Sequence, residues 1–242
     1  MSHAVFSHSN KALFNEVGPK QDSTFEILYF GLFGLSATFL DMLAISGVEF
    51  TTVRPENWPS EKAKTPFGCL PILREMTSDG KVLEICESEA IERYLGQKFG
   101  FMGDDLYEHT FVNTFLSSNA SLLNQYYLRY VTPKDPIPKA EAREKFVNET
   151  LPPWVAMHEK HLRANGSNGH YLNNKLTMAD LKTSLIMRIA QSMTGDDIVS
   201  ESKTPALWKV KTEVEKIPNL QKWKQTEQYR ALAEKNKMIL GF

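Results

Sequence analysis

Glu87 and Ser88 are the two adjacent residues of this 242-residue chain whose types most directly predict binding chemistry. They lie in "ESEAIERYL", where a predicted strand ends and a predicted helix begins. Free backbone N–H groups and the helix dipole favour an anion there, and the Ser88 hydroxyl adds a donor for a carboxylate. Glu87 supplies a negative charge suited to an ammonium group. An α-amino acid carries both groups and would satisfy the pair, whereas the alternative for Ser88 is a simple N-cap.

A proline interrupts the next candidate segment, "TPFGCLPILREM" at residues 65–76. Proline has no backbone N–H to give to a sheet, so it belongs at edges, strand starts or bulges. If the bond between Leu70 and Pro71 is cis, Leu70 presents its N–H and C=O outward, where an extended peptide can pair with them. The alternative, which the local sequence alone favours, is that Pro71 begins an edge strand.

Composition and charge limit the partners of this chain. The formal net charge is −1 with basic residues spread along the sequence, so we predict a small molecule or another protein as partner rather than nucleic acid or a membrane surface. Two cysteines cannot form a disulfide framework, and the first twenty residues lack the apolar core of a signal peptide. No apolar run approaches the roughly 20 residues that span a bilayer. We therefore expect a cytoplasmic protein.

No metal site is predicted from the histidines. His158 and His161 stand three residues apart in "HEKH", but a third ligand is not evident and the spacing is not that of a zinc protease. We expect the two side chains to lie on a solvated helix face.

The elements that must position these residues follow a β-α-β, loop, β-β-α order, which predicts a mixed sheet covered by helices over residues 24–101. The four predicted strands are "FEILYF", "VEFTTVR", "LPIL" and "KVLEIC". Residues 1–23 are polar without a sustained period and predict a flexible extension. Residues 106–242 predict helices, the clearest of which begins where Thr177 and Asp180 have the spacing of a capping box.

Five segments together resemble the cytosolic glutathione transferases, and the first half resembles their tyrosine-type, sigma-like group. They are "ILYFGLFGLS", "ENWPSEKAKTPFGCLPIL", "ESEAIERYL", "LTMADL" and "IPNLQKWKQT", in order over about residues 25–240. The resemblance implies an α/β thioredoxin-like N-terminal domain plus an all-α C-terminal domain. It also implies glutathione as co-substrate, held mainly by the first domain, with no cofactor.

Tyr29 matches the catalytic tyrosine of the family, although the residue pattern alone would make it a core aromatic. A hydroxyl that donates to the glutathione sulfur stabilises the thiolate, which is the nucleophile. Tyrosine-type relatives often carry arginines in the turn after the first strand, one of which assists thiolate formation. Phe33 and Leu35 stand at those places here. These apolar residues would either enlarge the acceptor pocket or mark a protein that has lost efficient catalysis.

The resemblance also assigns the residues that bind glutathione. Trp58 and Lys62 match contacts to its glycine end, Leu70 the residue whose backbone pairs with its cysteine, Pro71 the cis-proline, and Glu87 and Ser88 the pair that holds its γ-glutamyl end. The closest group usually has Gln at the position of Glu87. That exchange keeps an acceptor and adds a charge.

Further expectations concern partners and the acceptor. Phe67 matches an aromatic residue that inserts into a partner subunit, so we predict a homodimer; the alternative is an ordinary loop aromatic. The hydrophobic acceptor is expected between the turn after the first strand and the first long helix of the second domain, with Tyr126 and Tyr130 among the candidates. Cys69 precedes Leu70 and is interpreted as a bystander, near Cys86 on the adjacent strand.

The predicted function is conjugation of the glutathione thiolate to hydrophobic electrophiles, with peroxide reduction as a second use of the same thiolate. Two alternatives remain at this point. One is a non-catalytic ligand-binding or structural protein of the same fold, like the lens crystallins derived from it, which the residues Phe33 and Leu35 motivate. The other is a glutathione-dependent isomerase, in which the thiol adds and leaves.

Overall fold

The computed structural model describes residues 11–131 and 135–240, except for the side chains of Tyr130, Pro136 and Ile137. The contacts divide the chain into two compact units. Unit 1 contains the residues up to Phe99 together with Pro218–Ile239, and unit 2 contains Gly100–Ile217. Each unit has its own core, and the residues that the sequence selects for glutathione binding all fall in unit 1.

Unit 1 is built on a four-stranded mixed sheet with the order β2-β1-β3-β4. The strands are β1 (Thr24–Leu28), β2 (Phe50–Val53), β3 (Ile72–Met76) and β4 (Val82–Cys86). β1 pairs in parallel with β2 and antiparallel with β3, and β3 pairs antiparallel with β4. All four predicted strands are confirmed. β3 begins two residues later than expected, since Pro71 has no N–H for the ladder.

Helices of unit 1 include α2 (Ala37–Ser46), the short α3 (Trp58–Glu61) and α4 (Ser88–Lys98). A 3₁₀ turn over Gly34–Ser36 leads into α2, and another over Lys62–Lys64 follows α3. α2 ends at Gly47, whose left-handed backbone (φ 71°) lets its N–H bond to the carbonyl of Ala44. Glycine at this position is also the sequence signal that is typical of a helix end.

The expected flexibility of residues 1–23 is wrong for the part that the structure describes; residues 1–10 lie outside it. Lys11–Val17 form helix α1, whose Val17 is fully buried. Lys98 fixes the chain just behind this helix, because its Nζ donates to the carbonyl oxygens of Gly18 (2.8 Å) and Lys20. The same ammonium pairs with Glu75 Oε1 at 2.9 Å, and both side chains are almost fully buried. These partners lie far along the chain, so the local pattern of residues 11–23 cannot show them.

Two further helices of unit 1 come from the end of the chain, namely α10 (Pro218–Lys224) and α11 (Glu227–Leu240). The sequence placed residues 218–239 in the helical domain 106–242, but the structure groups them with the sheet. The Trp223 ring packs on Phe50 with centroids 4.8 Å apart, and Asn219 Nδ2 donates to the carbonyl of Ile45 at 3.2 Å. The N-terminal core is thus completed by residues from the opposite end of the sequence.

Unit 2 is helical in the residues that the structure describes. Its helices are α5 (Leu106–Gln125), α6 (Pro136–Lys145), α7 (Leu151–Ala164), α8 (Met178–Thr194) and α9 (Pro205–Glu215), with π-helical turns at Tyr126–Val131 and Phe146–Thr150. The predicted start of α8 is confirmed. The buried carboxylate of Asp180 accepts hydrogen bonds from the Thr177 N–H (2.6 Å) and hydroxyl (2.9 Å).

The expectation of a solvated His158 is wrong, because the side chain is 2% exposed. Its Nδ1 lies 2.6 Å from the Tyr171 hydroxyl and its Nε2 lies 2.9 Å from Ser118 Oγ. Burial, with a smaller repulsion from His161, lowers the pKa of His158 to about 3. His158 is therefore a neutral member of a buried polar cluster that joins α5, α7 and the segment before α8.

Candidate active site

The candidate site lies at one edge of the sheet in unit 1. β1, β2 and β4 run towards this edge and β3 runs away from it, as the registers require. Tyr29 follows β1, Leu70 and Pro71 precede β3, and Glu87 and Ser88 follow β4. The pairing of Leu28 with Ile72, and of Ile72 with Cys86, makes these segments neighbours. Three segments that are distant in sequence therefore come together for a simple topological reason.

Tyr29 is held by both its backbone and its hydroxyl. Its N–H donates to the carbonyl of Val53 at 3.0 Å, which extends the pairing of β1 with β2. The side chain is 8% exposed, and the Leu35 N–H donates to the hydroxyl oxygen at 3.3 Å. Burial raises the pKa of Tyr29, while the hydrogen bond from Leu35 lowers it by less. The phenol consequently stays protonated at neutral pH and has a proton to donate.

Gly34 sets the distance between the Tyr29 hydroxyl and the turn that follows β1. Its φ is +41°, and a Cβ placed on it would stand only 2.8 Å from the hydroxyl oxygen. That separation is shorter than side-chain carbons adopt, so glycine is required for the turn to approach so closely.

Trp58 is linked to Tyr29 through an aromatic row. The Phe30 ring lies 5.2 Å from the Tyr29 ring and 5.7 Å from the Trp58 ring, edge-on to the latter. Trp58 begins α3 and is half-buried, whereas Lys62 in the next turn is exposed. The Lys62 Cε would lie 3.5 Å from a Cβ on Gly68, in the loop that leads to Leu70.

The bond between Leu70 and Pro71 is cis, so this prediction is confirmed. Leu70 lies just before the paired register of β3, which starts at Ile72. Its side chain is buried, while the preceding Cys69 is half-exposed.

Glu87 stands at the start of α4 with a backbone φ of 70°, which is rare for a residue with a side chain. Its Oε1 accepts a hydrogen bond from the Cys69 thiol, with the sulfur at 3.1 Å. Burial and the nearby Glu87 carboxylate raise the pKa of Cys69 to about 11. Cys69 is accordingly a poor nucleophile near neutral pH, in line with its interpretation as a bystander. Ser88 is the first residue of α4, at the helix N-terminus.

Of the two tyrosines suggested for the acceptor, Tyr126 is 1% exposed and packs against Phe146 with ring centroids 5.5 Å apart. It belongs to the core of unit 2, so its role as an exposed lining residue is wrong. The side chain of Tyr130 lies outside the described residues.

Sequence reasoning missed the contribution of α11 to this site. Asn236 Oδ1 accepts a hydrogen bond from the Gly34 N–H at 3.2 Å, and Lys235 Nζ donates to the Phe30 carbonyl at 2.8 Å. The Tyr229 ring lies 4.9 Å from that of Phe33. No sequence motif marks these residues, which are about 200 positions away from the turn that they contact.

The sheet, the cis-proline and the separate helical unit define a thioredoxin-like domain followed by an all-helical one, the fold of glutathione transferases. The model of the family "Glutathione S-transferase, C-terminal domain" matches residues 123–227.

Two relatives and one solved structure place the chain more closely. A glutathione S-transferase of Dirofilaria immitis is 31% identical over 65% of this chain and 72% of its own length. S-crystallin SL11 of Nototodarus sloanii is 30% identical over 66% of this chain and 77% of its own. The structure of prostaglandin synthase D of Nilaparvata lugens has a TM-score of 0.70 at 27% identity, covering 84% of this chain and 98% of the other. The chain belongs to the glutathione S-transferase family and is a transferase.

Proposed function

We propose that this transferase binds reduced glutathione at the sheet edge of unit 1 and conjugates its thiolate to hydrophobic electrophiles. The single observation that carries the proposal is the protonated, buried Tyr29 at that edge. In the described residues its hydroxyl has one hydrogen bond, in which it accepts from Leu35. The phenolic proton is therefore left for the sulfur of a bound thiol.

Stabilisation of the thiolate is the chemical task of Tyr29 in this proposal. A free thiol has a pKa of about 8.5, so only a few per cent is ionised at neutral pH. A decrease of about two units corresponds to about 2.7 kcal/mol of preferential stabilisation of the anion. A well-aligned hydrogen bond to an anion in a poorly hydrated site supports a shift of this order. The thiolate then attacks the electrophile, and the same thiolate supports the reduction of peroxides.

The roles proposed for the other residues follow from their chemistry. Trp58 and Lys62 hold the glycine end of glutathione, and the backbone of Leu70, before the cis-bonded Pro71, pairs with its cysteine. The carboxylate of the γ-glutamyl end takes the N-terminus of α4 and the Ser88 hydroxyl. Glu87 attracts the ammonium group of the same ligand end. That ammonium competes with the Cys69 thiol for the Glu87 carboxylate.

The variant Tyr29→Phe tests the proposal. The ionisation of bound glutathione is followed by its thiolate absorbance in the ultraviolet, and turnover is measured with an activated aryl chloride. We expect the pKa of the bound thiol to rise by about two units and turnover at pH 6.5 to fall about 50-fold. The control is Tyr107→Phe, since Tyr107 is 71% exposed. An unshifted thiol in the unmodified protein, or undiminished turnover in Tyr29→Phe, would remove Tyr29 from this role.

A ligand-binding or structural role is the second candidate, favoured by the likeness to S-crystallin SL11 and by the apolar residues Phe33 and Leu35, at positions where the resemblance to tyrosine-type relatives often implies arginines. Glutathione binding without turnover of any electrophile in the same experiment would support it. A glutathione-dependent isomerase is the third, and the likeness to a prostaglandin synthase D favours it. In that case substrate is rearranged while the glutathione concentration stays constant.

We also propose a homodimer, as is typical of the family, with Phe67 inserted into the partner subunit. The Phe67 side chain is 62% exposed and is therefore accessible to a partner subunit. The mass in solution at micromolar concentration should be that of two chains, and Phe67→Ser should shift it towards one. A monomeric mass for the unmodified protein would contradict the proposal.

A further inference from the structure

Helix α11 reaches the turn after β1 with three contacts, all inside unit 1. Lys235 Nζ donates to the carbonyl of Phe30, Tyr229 packs on Phe33, and Asn236 accepts from the N–H of Gly34. Asn236 is 2% exposed. A buried amide side chain that bonds to a backbone N–H restrains the position of that peptide group, because a shift of the group weakens the bond.

The peptide group held by Asn236 is adjacent to the one that contacts Tyr29. Gly34 donates its N–H to Asn236, and the next residue, Leu35, donates its N–H to the Tyr29 hydroxyl. Two successive N–H groups of one turn therefore have their acceptors on α11 and on the candidate catalytic residue. A movement of the turn away from α11 changes both bonds together.

The geometry at Tyr29 leaves little tolerance for such a movement. The distance from the Leu35 nitrogen to the hydroxyl oxygen is 3.3 Å, at the long end of the range for N–H···O bonds. On the other side, Gly34 is so close to the hydroxyl that a Cβ on it would be only 2.8 Å away. A displacement of the turn by a few tenths of an ångström either breaks the hydrogen bond or forces the ring to move.

We infer that Asn236 is a positioning residue that holds the Leu35 N–H against the Tyr29 hydroxyl. The inference rests on the function proposed for Tyr29. An N–H that donates to the phenolic oxygen withdraws charge from it and makes the O–H a stronger donor to a thiolate. The backbone of Leu35 thus assists the phenol, and α11 keeps that backbone in place.

Two cations of the described residues border the same turn. Lys235 bonds to the Phe30 carbonyl, and the Arg54 side chain covers Gly31, where an added Cβ would lie 2.2 Å from Nε. Neither replaces the Leu35 amide, which is the group in hydrogen-bond contact with the Tyr29 oxygen. The experiment must nevertheless separate Asn236 from the rest of α11.

The test compares Asn236→Leu, which has a similar size but no acceptor, with Asn236→Asp, which keeps an Oδ acceptor for Gly34. The control Lys237→Leu alters the next residue of α11, which is exposed. We expect Asn236→Leu to raise the pKa of bound glutathione by about one unit and to lower kcat about fivefold at pH 6.5. KM for glutathione should change less than about twofold, because Asn236 does not contact the proposed ligand-binding residues. Asn236→Asp and Lys237→Leu should stay within about threefold of the unmodified protein.

Tyr29→Phe and the double variant identify what has failed if the result differs. If Tyr29→Phe leaves the bound thiol unchanged, the proposed function of Tyr29 is wrong. If Tyr29→Phe raises the thiol pKa but a folded Asn236→Leu does not, only the role of Asn236 is wrong. The role proposed for Asn236 is also wrong if Asn236→Leu raises the thiol pKa by the same amount in the Tyr29→Phe background. The substitution would then act independently of Tyr29. Should Asn236→Leu fail to fold, Asn236→Ala, which also removes the acceptor but leaves a smaller side chain, gives the same readout, and an unchanged thiol pKa there overturns the inference.

Discussion

Two buried tyrosines, one in each unit, differ in whether the hydroxyl proton has a hydrogen-bond acceptor within the described residues. Tyr171 is 1% exposed, and its hydroxyl accepts from the Thr183 hydroxyl at 3.2 Å and lies 2.6 Å from His158 Nδ1. Since the Tyr171 oxygen accepts from Thr183, His158 is the partner that accepts the Tyr171 proton in the tautomer whose Nδ1 carries no hydrogen. Tyr29 has the matching acceptor bond, from the Leu35 N–H, but within the described residues nothing takes its proton.

Burial raises the pKa of both hydroxyls, so this shift does not distinguish a catalytic tyrosine from a structural one. The distinguishing property is the unused donor. A hydroxyl with both hydrogen-bonding roles filled stabilises the fold, whereas one with a spare proton at the surface of a site can serve a substrate. Substitution of each tyrosine by phenylalanine should accordingly give opposite results.

The largest effect on stability is expected for Tyr171→Phe. Loss of the hydroxyl leaves Thr183 without an acceptor and His158 without a donor, so the free energy of unfolding should fall by about 3 kcal/mol. The pKa of bound glutathione should stay as it is in the unmodified protein. Urea unfolding, followed by tryptophan fluorescence and circular dichroism, measures the first quantity, and thiolate absorbance measures the second.

Tyr29→Phe is the matched variant for that measurement and should change the free energy of unfolding by less than about 1 kcal/mol. The distinction between a structural Tyr171 and a catalytic Tyr29 would be contradicted if Tyr171→Phe shifted the thiol pKa. It would also be contradicted if Tyr29→Phe were the more destabilising of the two variants.

A smaller effect should appear in the pH dependence of stability. Only a neutral His158 has a ring nitrogen that can accept a hydrogen bond from the Tyr171 hydroxyl. The folded-state pKa of His158 is about 3, below the value of about 6.5 in an unfolded chain. Between these values the unfolded chain binds a proton that the folded chain does not. The stabilisation is therefore complete above pH 6.5 and is lost as the pH falls, by about 2 kcal/mol between pH 6.5 and 5.

His158→Gln removes this titration, and the free energy of unfolding of the variant should depend less on pH over the same interval. Unfolding in urea at a series of pH values measures the difference. An identical acid dependence in the variant and the unmodified protein would show that His158 titrates normally and is not held neutral by its buried surroundings.

The parts of the fold that the sequence predicted are those that local patterns determine. Short apolar segments between turn residues marked the four strands, Gly47 marked the end of α2, and Thr177 with Asp180 marked the start of α8. In each of these cases the physical cause lies within a few residues of its effect. The cis-proline, in contrast, was expected from the family resemblance, because the local sequence alone favoured the start of an edge strand.

The parts that the sequence could not predict depend on partners that are distant along the chain. His158 looked like a surface residue because the hydroxyl beside it comes from another segment, and α11 looked like an ordinary amphipathic helix. The contact of Asn236 with Gly34 joins residues 202 positions apart. Tyr29 was identifiable through family resemblance, but its amide donor and the support behind that donor required coordinates.

Within the described residues, no helix is long and apolar enough to cross a membrane. The residues proposed to bind glutathione all belong to unit 1. Unit 1 includes α1, and the buried ammonium of Lys98 donates a hydrogen bond to the segment that follows this helix. If residues 11–20 were lost, the Lys98 ammonium would keep its ion pair with Glu75. It would lose the carbonyl acceptors of its two other hydrogen bonds. The leading segment and Lys98 therefore depend on each other, since removal of either one takes away hydrogen-bond partners of the other.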